Sequence, residues 1–431
     1  MTKIVEGTGG VEERVLDRID AETDSLMGLL GDLVRFQTPN PPGGNEAEAQ
    51  QWILSILEDM GLETDMWDAM PGRPNVVGVL KGKSGSQRVI LNGHIDVCED
   101  RLLARWSTPP YEPVMKDGAM FGRGTTDMKS GLASFLFAIR TLRAEGIQLD
   151  GDVVFQSVIG EERGEPGARS AIERGYTGDF AIVGEASGGR NLVAGVGVIN
   201  CKVTVESDIS LHLVARKLTI SAGGGLSGAN CAEKMATSVV PGLMELERHW
   251  AVFKHHPLIP PSFASINLLR IEGGGNTFIL PDSCVAYFTI VYYPNEDPRH
   301  VREQVETQIA RIAELDPWLR DHRPRVEWSP PEYPVEFAAS DFDPTTSAVR
   351  ELARAIEDVV GDPPRMNVRG AITDAGWFHR AGVPAVVFGP GDVEYVHRID
   401  ERVRTVDVVA HCKATTLFLM RFCGVASPPG S

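Results

Sequence analysis

Hydrophobic positions along the chain follow two repeating patterns, one typical of amphipathic helices and one typical of buried strands. Apolar residues recur at helical spacing over residues 15–36, 46–60 and 128–145. Short apolar runs at residues 88–92 and 152–159 are typical of strands in the middle of a sheet. Because strands that alternate with helices usually form a parallel sheet covered by helices, the pattern predicts an α/β fold with a mostly parallel central sheet flanked by helices.

The pattern changes near Gly197, where a different order of elements begins. From residue 199 to about residue 328 the order is strand, helix, strand, strand, helix, strand, which is typical of a two-layer α+β domain of the ferredoxin-like kind. Strands and helices of the first kind resume afterwards. We therefore predict a first domain that comprises residues 1–197 and 333–431, with a second domain of residues 198–332 inserted into it.

Composition and charge exclude several classes of protein. The formal net charge of −17 at pH 7 argues against binding to nucleic acid or to an anionic membrane surface. No uninterrupted apolar stretch reaches the roughly 18 residues of a transmembrane helix, and residues 1–10 lack the pattern of a signal peptide. The six cysteines are scattered without a CxxC pair, which predicts reduced, mostly packed thiols. Together these features predict a cytoplasmic protein.

Five side chains that commonly bind metal ions stand where predicted strands end or helices begin. They are His94, Asp127, Glu162, Glu185 and His397. Burying such groups is costly unless they are paired or coordinate a cation. Imidazole and carboxylate ligands without a thiolate suit two divalent cations, and they do not distinguish Zn from Mn or Co. Read alone, each residue is a weak signal, since Asp127, for example, could simply cap a helix.

Two further acidic residues have predicted roles beside these ligands. Asp96 lies two positions after His94 on the same face of a strand, so its carboxylate could accept the second ring N–H of His94 and orient the imidazole. Glu161 adjoins Glu162, and two adjacent carboxylates repel each other unless one binds a cation while the other carries a proton. This pair therefore predicts Glu161 as general base and Glu162 as ligand, with a solvated surface pair as the alternative.

The order of these motifs resembles one family of dinuclear metallohydrolases. The motifs are His-x-Asp, Gly-Arg-Gly-x-x-Asp-Met-Lys, Glu-Glu, Gly-Glu and a Gly-Pro-Gly that is followed by His and Asp-Glu. The family includes acetylornithine deacetylase, succinyl-diaminopimelate desuccinylase, aminoacylase and glutamate carboxypeptidase. The resemblance implies that His94, Asp127 and Glu185 hold one metal ion, and that Asp127, Glu162 and His397 hold the other. It also implies that the inserted domain is a lid and a dimerisation domain, and hence that the protein is a homodimer or a higher homo-oligomer.

The inserted domain departs from the family pattern at several positions. His212 is the nearest candidate for the histidine with which family members contact substrate, although it could equally be an exposed residue at a sheet edge. The asparagine expected before a Pro-Asp pair is absent from residues 277–282, and the carboxylate-binding arginine is absent from residues 288–296. Arg216 and Lys217 could supply an anion contact instead, unless they are merely solvated. These departures suggest a substrate unlike an N-acyl amino acid.

These observations predict an enzyme, a two-metal hydrolase that cleaves a C–N bond of a small carboxylated substrate, with an amide as the favoured bond. An aminohydrolase that releases ammonia from an aromatic amine, of the 5-nitroanthranilate type, is the alternative. Phe278 could then flank a flat ring. A non-catalytic binding protein on the same scaffold is a further alternative, but it would be expected to lack a ligand or the base, and neither is missing from the sequence.

Overall fold

The computed structural model describes residues 9–99, 102–215, 228–259, 261–333, 336–369 and 372–426. These residues form two compact units. The first unit comprises the described residues up to Gly195 together with those from Ser340 onward, and the second unit runs from Val196 to Ala339. The second unit is thus inserted into the first along the chain. Among these residues, no helix combines the length and the hydrophobicity that a membrane span requires.

The first unit begins with an alternation of helices and strands. Its helices up to Gly195 are α1 (Gly9–Ala21), α2 (Thr23–Arg35), α3 (Ala47–Asp59), α4 (Lys129–Ala144) and α5 (Pro166–Glu173). Its strands over the same stretch are β1 (Glu63–Met70), β2 (Arg73–Leu80), β3 (Arg88–His94), β4 (Val114–Lys116), β5 (Ala119–Phe121), β6 (Asp152–Val158), β7 (Phe180–Val183) and β8 (Asn191–Gly195). The predicted helix at residues 15–36 is divided at Glu22, because Thr23 Oγ1 donates a hydrogen bond to the carbonyl of Asp20 and competes with the helical pattern.

The second unit is a single antiparallel sheet with helices packed on it. Its elements are β9 (Gly197–Glu206), α6 (Cys231–Lys234), a π-helical turn (Met235–Val239), α7 (Val240–Phe253), β10 (Ser265–Gly273), β11 (Ser283–Tyr292), α8 (Pro298–Leu315), β12 (Arg325–Trp328) and β13 (Glu336–Phe337). The strand order is β10-β11-β9-β12, and β13 also pairs with β9. Helices α7 and α8 pack against each other, and α7 packs on β10. This is the predicted two-layer α+β arrangement.

The remainder of the first unit completes its sheet and its helical layers. The elements are α9 (Ser347–Val360), β14 (Arg365–Arg369), α10 (Ala375–Arg380), β15 (Ala385–Val387), β16 (Arg402–Arg404) and α11 (Thr405–Phe422). Helix α9 begins after Thr346, whose side chain accepts a hydrogen bond from the Val349 N–H, and ends at Gly361 with a φ of +88°. Helix α11 packs against both α4 and α9.

The central sheet of the first unit has the strand order β1-β2-β6-β3-β7-β15-β8-β14 over the described ranges. Strand β3 pairs in parallel with β6 and β7, and β15 pairs in parallel with β7. Antiparallel pairs join β1 to β2, β2 to β6 and β15 to β8, so the sheet is mixed in direction. Because parallel neighbours end at the same edge, the residues that follow β3, β6 and β7 meet there. The predicted α/β fold with a helix-flanked central sheet and a small inserted domain is confirmed.

Candidate metal centre

Strand β3 delivers His94 to the carboxyl edge of the central sheet. The apolar side chains of β3 are fully buried, and so is His94 itself. His94 Nδ1 lies 2.8 Å from the backbone carbonyl oxygen of Asp96, which makes Nδ1 the donor nitrogen of the ring. The other ring nitrogen, Nε2, lies 2.8 Å from Glu185 Oε1 and 3.2 Å from Asp127 Oδ1. His94 therefore presents one nitrogen to a cluster of carboxylates.

The carboxylate of Asp96 has a role different from the predicted one. Its Oδ1 lies 3.7 Å from His94 Nδ1, which is too far for a hydrogen bond. The predicted side-chain contact with His94 is wrong, because the backbone carbonyl of Asp96 is the acceptor. Oδ1 instead accepts a hydrogen bond from the Gly160 N–H at 2.7 Å, and Oδ2 lies 3.3 Å from the Glu162 nitrogen. Asp96 thereby positions the turn that carries Glu161 and Glu162.

Asp127 lies between the two predicted histidine ligands. Its Oδ1 faces His94, whereas its Oδ2 lies 3.0 Å from His397 Nε2. The same His397 nitrogen lies 3.0 Å from Glu162 Oε2. His397 has a left-handed backbone with a φ of +58°, a conformation that is costly for residues other than glycine and is common at functional sites. Asp127 thus joins one cluster, with His94 and Glu185, to a second cluster, with His397 and Glu162.

Helix α4 and Glu401 hold Asp127 in place. A methyl group at Gly131, in the first turn of α4, would lie 2.2 Å from the carbonyl oxygen of Gly184, so the helix approaches the end of β7 closely. Glu401 is fully buried, and its Oε1 accepts hydrogen bonds from two successive backbone N–H groups, including that of Asp127 at 3.0 Å. Its Oε2 accepts a hydrogen bond from Arg123 Nη1 at 2.8 Å. Both Glu401 and Arg123 belong to recognisable motifs, but sequence reasoning assigned them no role.

Glu161 lies beside the cluster that contains His94. It begins the 3₁₀ turn Glu161–Arg163, which follows Gly160 with a φ of +81°. Glu161 Oε2 lies 3.7 Å from His94 Nε2. Burial raises the pKa of Glu161 well above its usual range, and the charge of Glu185 adds to the effect while His94 opposes it. A buried carboxyl group with a raised pKa is suited to act as a general base and acid.

The pKa values of the other titratable groups of the centre are set by burial and by contacts between carboxylates and histidines. Burial raises the pKa of Glu162 to about 7. Hydrogen bonds with Asp127 and Glu162 raise the pKa of His397 to about 10. Burial alone would raise the pKa of Asp127, but the contacts with His397 and His94 outweigh it and lower that pKa. The buried carboxyl groups of the centre thus crowd around two imidazoles, and the pKa shifts arise from that crowding.

This donor set fits a pair of divalent cations. Imidazole nitrogens and carboxylate oxygens bind Zn, Mn and Co. Asp127 Oδ1 is buried and accepts no hydrogen bond from any residue within the described ranges, since the geometry of the nearby His94 nitrogen is unsuitable. A carboxylate oxygen in that state is costly unless a cation binds it. Two sets of donors that share one carboxylate suit two ions rather than one.

The sequence profile of peptidase family M20/M25/M40 matches residues 90–421. The chain belongs to this family. The resemblance to this group of dinuclear metallohydrolases, which the order of motifs predicts, is confirmed.

Relatives of this M20 protein are similar over nearly the whole chain. The N-formyl-4-amino-5-aminomethyl-2-methylpyrimidine deformylase of Halalkalibacterium halodurans is 41% identical over 419 residues, which cover 96% of this chain and 98% of that protein. The deformylase of the same name from Bacillus subtilis is 37% identical, with coverages of 94% and 96%. The solved YXEP protein of Bacillus subtilis, a dinuclear metal binding peptidase of the M20 family, aligns with a TM-score of 0.63 at 16% identity, covering 94% of this chain and 99% of that one.

The family and these relatives show which class of reaction this protein catalyses. The M20 protein is a metal-dependent hydrolase that acts on C–N amide bonds, as the sequence predicts. Members of the M20 family require two metal ions. The candidate metal-ligand groups of this member are His94 with Glu161 and Glu185, and Cys98 with Glu162 and His397. Asp127 contacts the histidine of each group.

Two further buried acidic residues near this centre carry no recognisable sequence signal. Glu165 is fully buried and accepts a hydrogen bond from Trp377 Nε1, and burial raises its pKa, with the charge of Asp374 adding to the effect. Burial likewise raises the pKa of Asp374 to about 8, and the charges of Asp96 and Glu185 contribute. Asp374 directly precedes α10, a position at which a sequence suggests only a helix cap.

The remaining predicted contacts belong to the second unit. His212 is exposed and forms an isolated antiparallel bridge with Ile279. Phe278 is also exposed, with 64% of its surface accessible. Arg216 and Lys217 lie outside the described residues. A contact between His212 and substrate therefore stays a prediction.

Proposed function

We propose that this M20 protein is a two-metal deformylase that removes the formyl group from the aminomethyl nitrogen of an N-formylated aminopyrimidine. The observation that carries the proposal is the pair of histidine–carboxylate clusters joined by Asp127, with Glu161 beside them. The names of the Halalkalibacterium halodurans and Bacillus subtilis relatives supply the substrate class. Their similarity extends over both units of the chain, which supports a shared substrate as well as shared chemistry.

In this proposal the two clusters hold two divalent cations. His94, Glu185 and Asp127 bind one ion, and Asp127, Glu162 and His397 bind the other. Zn, Mn and Co are the candidate metals. When bound, the cations would polarise the formyl carbonyl and lower the pKa of the attacking water. The protein buries His94, Asp127 and Glu185 and fixes the orientation of His94 through the carbonyl of Asp96.

Glu161 moves the proton in this proposal. It takes a proton from the water whose oxygen attacks the formyl carbon, and it delivers that proton to the nitrogen as the C–N bond breaks. The products are formate and a primary amine. The raised pKa of Glu161 supports the second step, because burial favours the protonated carboxyl group that delivers the proton. Asp96 keeps the Glu161 backbone in place through its hydrogen bond with Gly160.

The proposed substrate class is supported by a residue type that the inserted domain lacks at one position of the family pattern. No arginine is present in residues 288–296, where family members hold a substrate carboxylate, and a formamide has no carboxylate to hold. On the first unit, a depression of about 580 Å³ beside His397 has Leu102 and Ile399 among its lining residues. The other lining residues include Glu99, Arg123 and Arg398, so the depression combines apolar and charged groups next to a metal ligand. A small ring with polar substituents suits such a surface.

A small carboxylated amide is the second candidate substrate. Arg398 is exposed and lines the same depression as His397. A guanidinium group at that place could pair with a substrate carboxylate through two hydrogen bonds. This observation favours the carboxylated substrate that the sequence predicts.

We also propose that the second unit associates with a second copy of itself. Strand β10 lies at the edge of its sheet, and Leu268, Leu269 and Ile271 are exposed on it. An exposed apolar edge strand is a ready partner for another strand, and natural proteins usually cover such an edge. Mass measurement in dilute solution tests this, because replacing Leu269 by lysine should convert a dimer to a monomer.

A substrate panel tests the proposed function. The purified protein is stripped of metal, reloaded with Zn, Mn or Co, and incubated with N-formyl-4-amino-5-aminomethyl-2-methylpyrimidine. We expect formate and primary amine in equal amounts, and far slower hydrolysis of N-formyl and N-succinyl amino acids. Hydrolysis of the carboxylated amides alone would replace the first candidate by the second. Release of ammonia without formate would overturn both and support the aromatic-amine alternative.

A further inference from the structure

One cysteine differs from the other five in its surroundings. Cys201, Cys231, Cys284, Cys412 and Cys423 are buried, whereas Cys98 is partly exposed. The ligand atoms of Cys98, Glu162 and His397 all lie within 4.8 Å of one another. Cys98 also lines the depression beside His397. Most of the cysteines are therefore packed thiols, as predicted, and Cys98 is the exception.

The backbone around Cys98 is fixed by a distant part of the chain. The Val97 N–H donates to the carbonyl of Thr38 at 2.9 Å, and the Asn40 N–H donates to the carbonyl of Val97 at 2.8 Å. The side chain of Val97 is fully buried. These contacts hold Cys98 directly after a paired, buried residue, so the sulfur is presented to His397 by a defined backbone.

A second observation beside Cys98 indicates a cation. Asp127 is more than nine-tenths buried and contacts His397 through Oδ2. Its Oδ1 faces the neighbouring cluster with His94 and has no hydrogen-bond partner among the residues that the structure describes. Glu162 adds another buried carboxylate to the same imidazole. Cys98 is thus the fourth potential donor of a group that already has an imidazole and two carboxylates. A thiol that binds a cation releases its proton to solvent and binds as the thiolate.

We propose that Cys98 is a sulfur ligand of the metal ion held by Glu162, His397 and Asp127, and that it makes this position selective for Zn over Mn. The inference rests on the proposed metal centre. Thiolate ligands favour Zn and Co, whereas carboxylates suit Mn as well. The position formed by His94, Glu185 and Asp127 has nitrogen and oxygen donors alone within the described residues, so the two positions should differ in metal preference.

Cobalt spectroscopy tests the sulfur ligand directly. The metal-free protein is loaded with two equivalents of Co²⁺, and the near-ultraviolet absorption is recorded. We expect a thiolate-to-cobalt charge-transfer band in the wild type and in Cys423→Ala, a control in which a buried cysteine of the same unit is replaced. The band should be absent from Cys98→Ala. Persistence of the band in Cys98→Ala would overturn the inference.

Metal competition and thiol labelling give an independent readout. Zn should protect Cys98 from alkylation in the wild type, as measured by mass spectrometry, and the Cys98→Ala change should lower the affinity of one Zn position by about 10-fold or more. Affinity for Mn should change little. A protein that binds two ions without the band or the protection would contradict the role of Cys98 and leave the metal centre standing. A protein that binds no divalent cation would overturn the proposed function itself.

Discussion

Most predicted site residues of the first unit are buried or partly buried, with His397 as the exposed member, whereas those of the second unit are exposed. His94 is held by the carbonyl of Asp96, and Asp127 is held by Glu401. In the second unit, His212 and Phe278 lie on the surface. Metal binding requires donors in a fixed geometry, whereas exposed residues can change at little cost in stability. Under the proposed function, the first unit supplies the metal ligands and the second unit supplies residues that are exposed.

The largest effect should come from the residue shared by both clusters. Replacing Asp127 by alanine removes a ligand from each proposed position, so we expect metal content to fall from two ions per chain and activity to fall by about 10⁴-fold or more. Elemental analysis and formate release measure the two effects. Asp59→Ala, at an exposed position of α3, is the control and should retain both properties. Two tightly bound ions in Asp127→Ala would contradict the proposal that both ions share Asp127 as a ligand.

A smaller loss should follow from a residue that acts through Asp127. Glu401→Gln keeps the shape of the side chain but weakens its hydrogen bonds with the Asp127 N–H and with Arg123. We expect metal affinity and kcat/KM to fall together by about 10- to 100-fold, as is usual when a group that orients a ligand is altered. Unchanged metal affinity with reduced kcat would instead indicate contact with substrate.

A His212 variant tests whether the second unit contacts substrate. If it contacts substrate as predicted, His212→Asn should lower kcat/KM by roughly 10-fold, the cost of about one hydrogen bond of 1.4 kcal/mol, and leave metal content at the wild-type value. Steady-state kinetics with the formylated pyrimidine and elemental analysis measure both. His249→Asn, at another exposed position of the second unit, is the matched control. Equal kinetics in all three proteins would remove His212 from the site.

The smallest effect concerns stability rather than activity. His411 is fully buried, and burial lowers its pKa to about 3, whereas in an unfolded chain it is about 6.5. Between these values only the unfolded state binds the proton, so His411 destabilises the fold as pH falls from about 6.5 toward about 3. The drop in the urea midpoint of the metal-free protein between pH 7 and pH 5 should therefore be smaller in His411→Gln than in the wild type. Equal drops would contradict the assignment.

The metal ligands could be predicted because of where they stand in the sequence. His94 and Glu185 each follow closely after an apolar strand, and the parallel pairing of β3 with β7 brings these strand ends together. The Glu161–Glu162 pair follows β6, which also pairs in parallel with β3. The position of a residue relative to a strand end can be recognised from the sequence pattern. The inserted domain was predictable for the same reason, since its order of elements differs from that of the rest.

The features that escaped prediction depend on contacts between distant segments. Whether the carbonyl or the carboxylate of Asp96 meets His94 depends on how the chain turns after β3. The position of Cys98 depends on the β-bridge between Val97 and Pro39. The position of Asp374 depends on the packing around α10. None of these contacts leaves a periodic pattern, so neither local propensity nor spacing reveals them.

The proposed role of Glu161 is to move the proton at a two-metal centre, and Glu161→Gln separates this role from metal binding. The substitution keeps the size of the side chain and removes its ability to take a proton, while the five ligands remain. We expect two bound metal ions per chain and a loss of formate release by about 10²- to 10⁴-fold, with Glu173→Gln, at an exposed position of α5, fully active. Full activity in a Glu161→Gln protein that retains both ions would show that Glu161 does not move the proton.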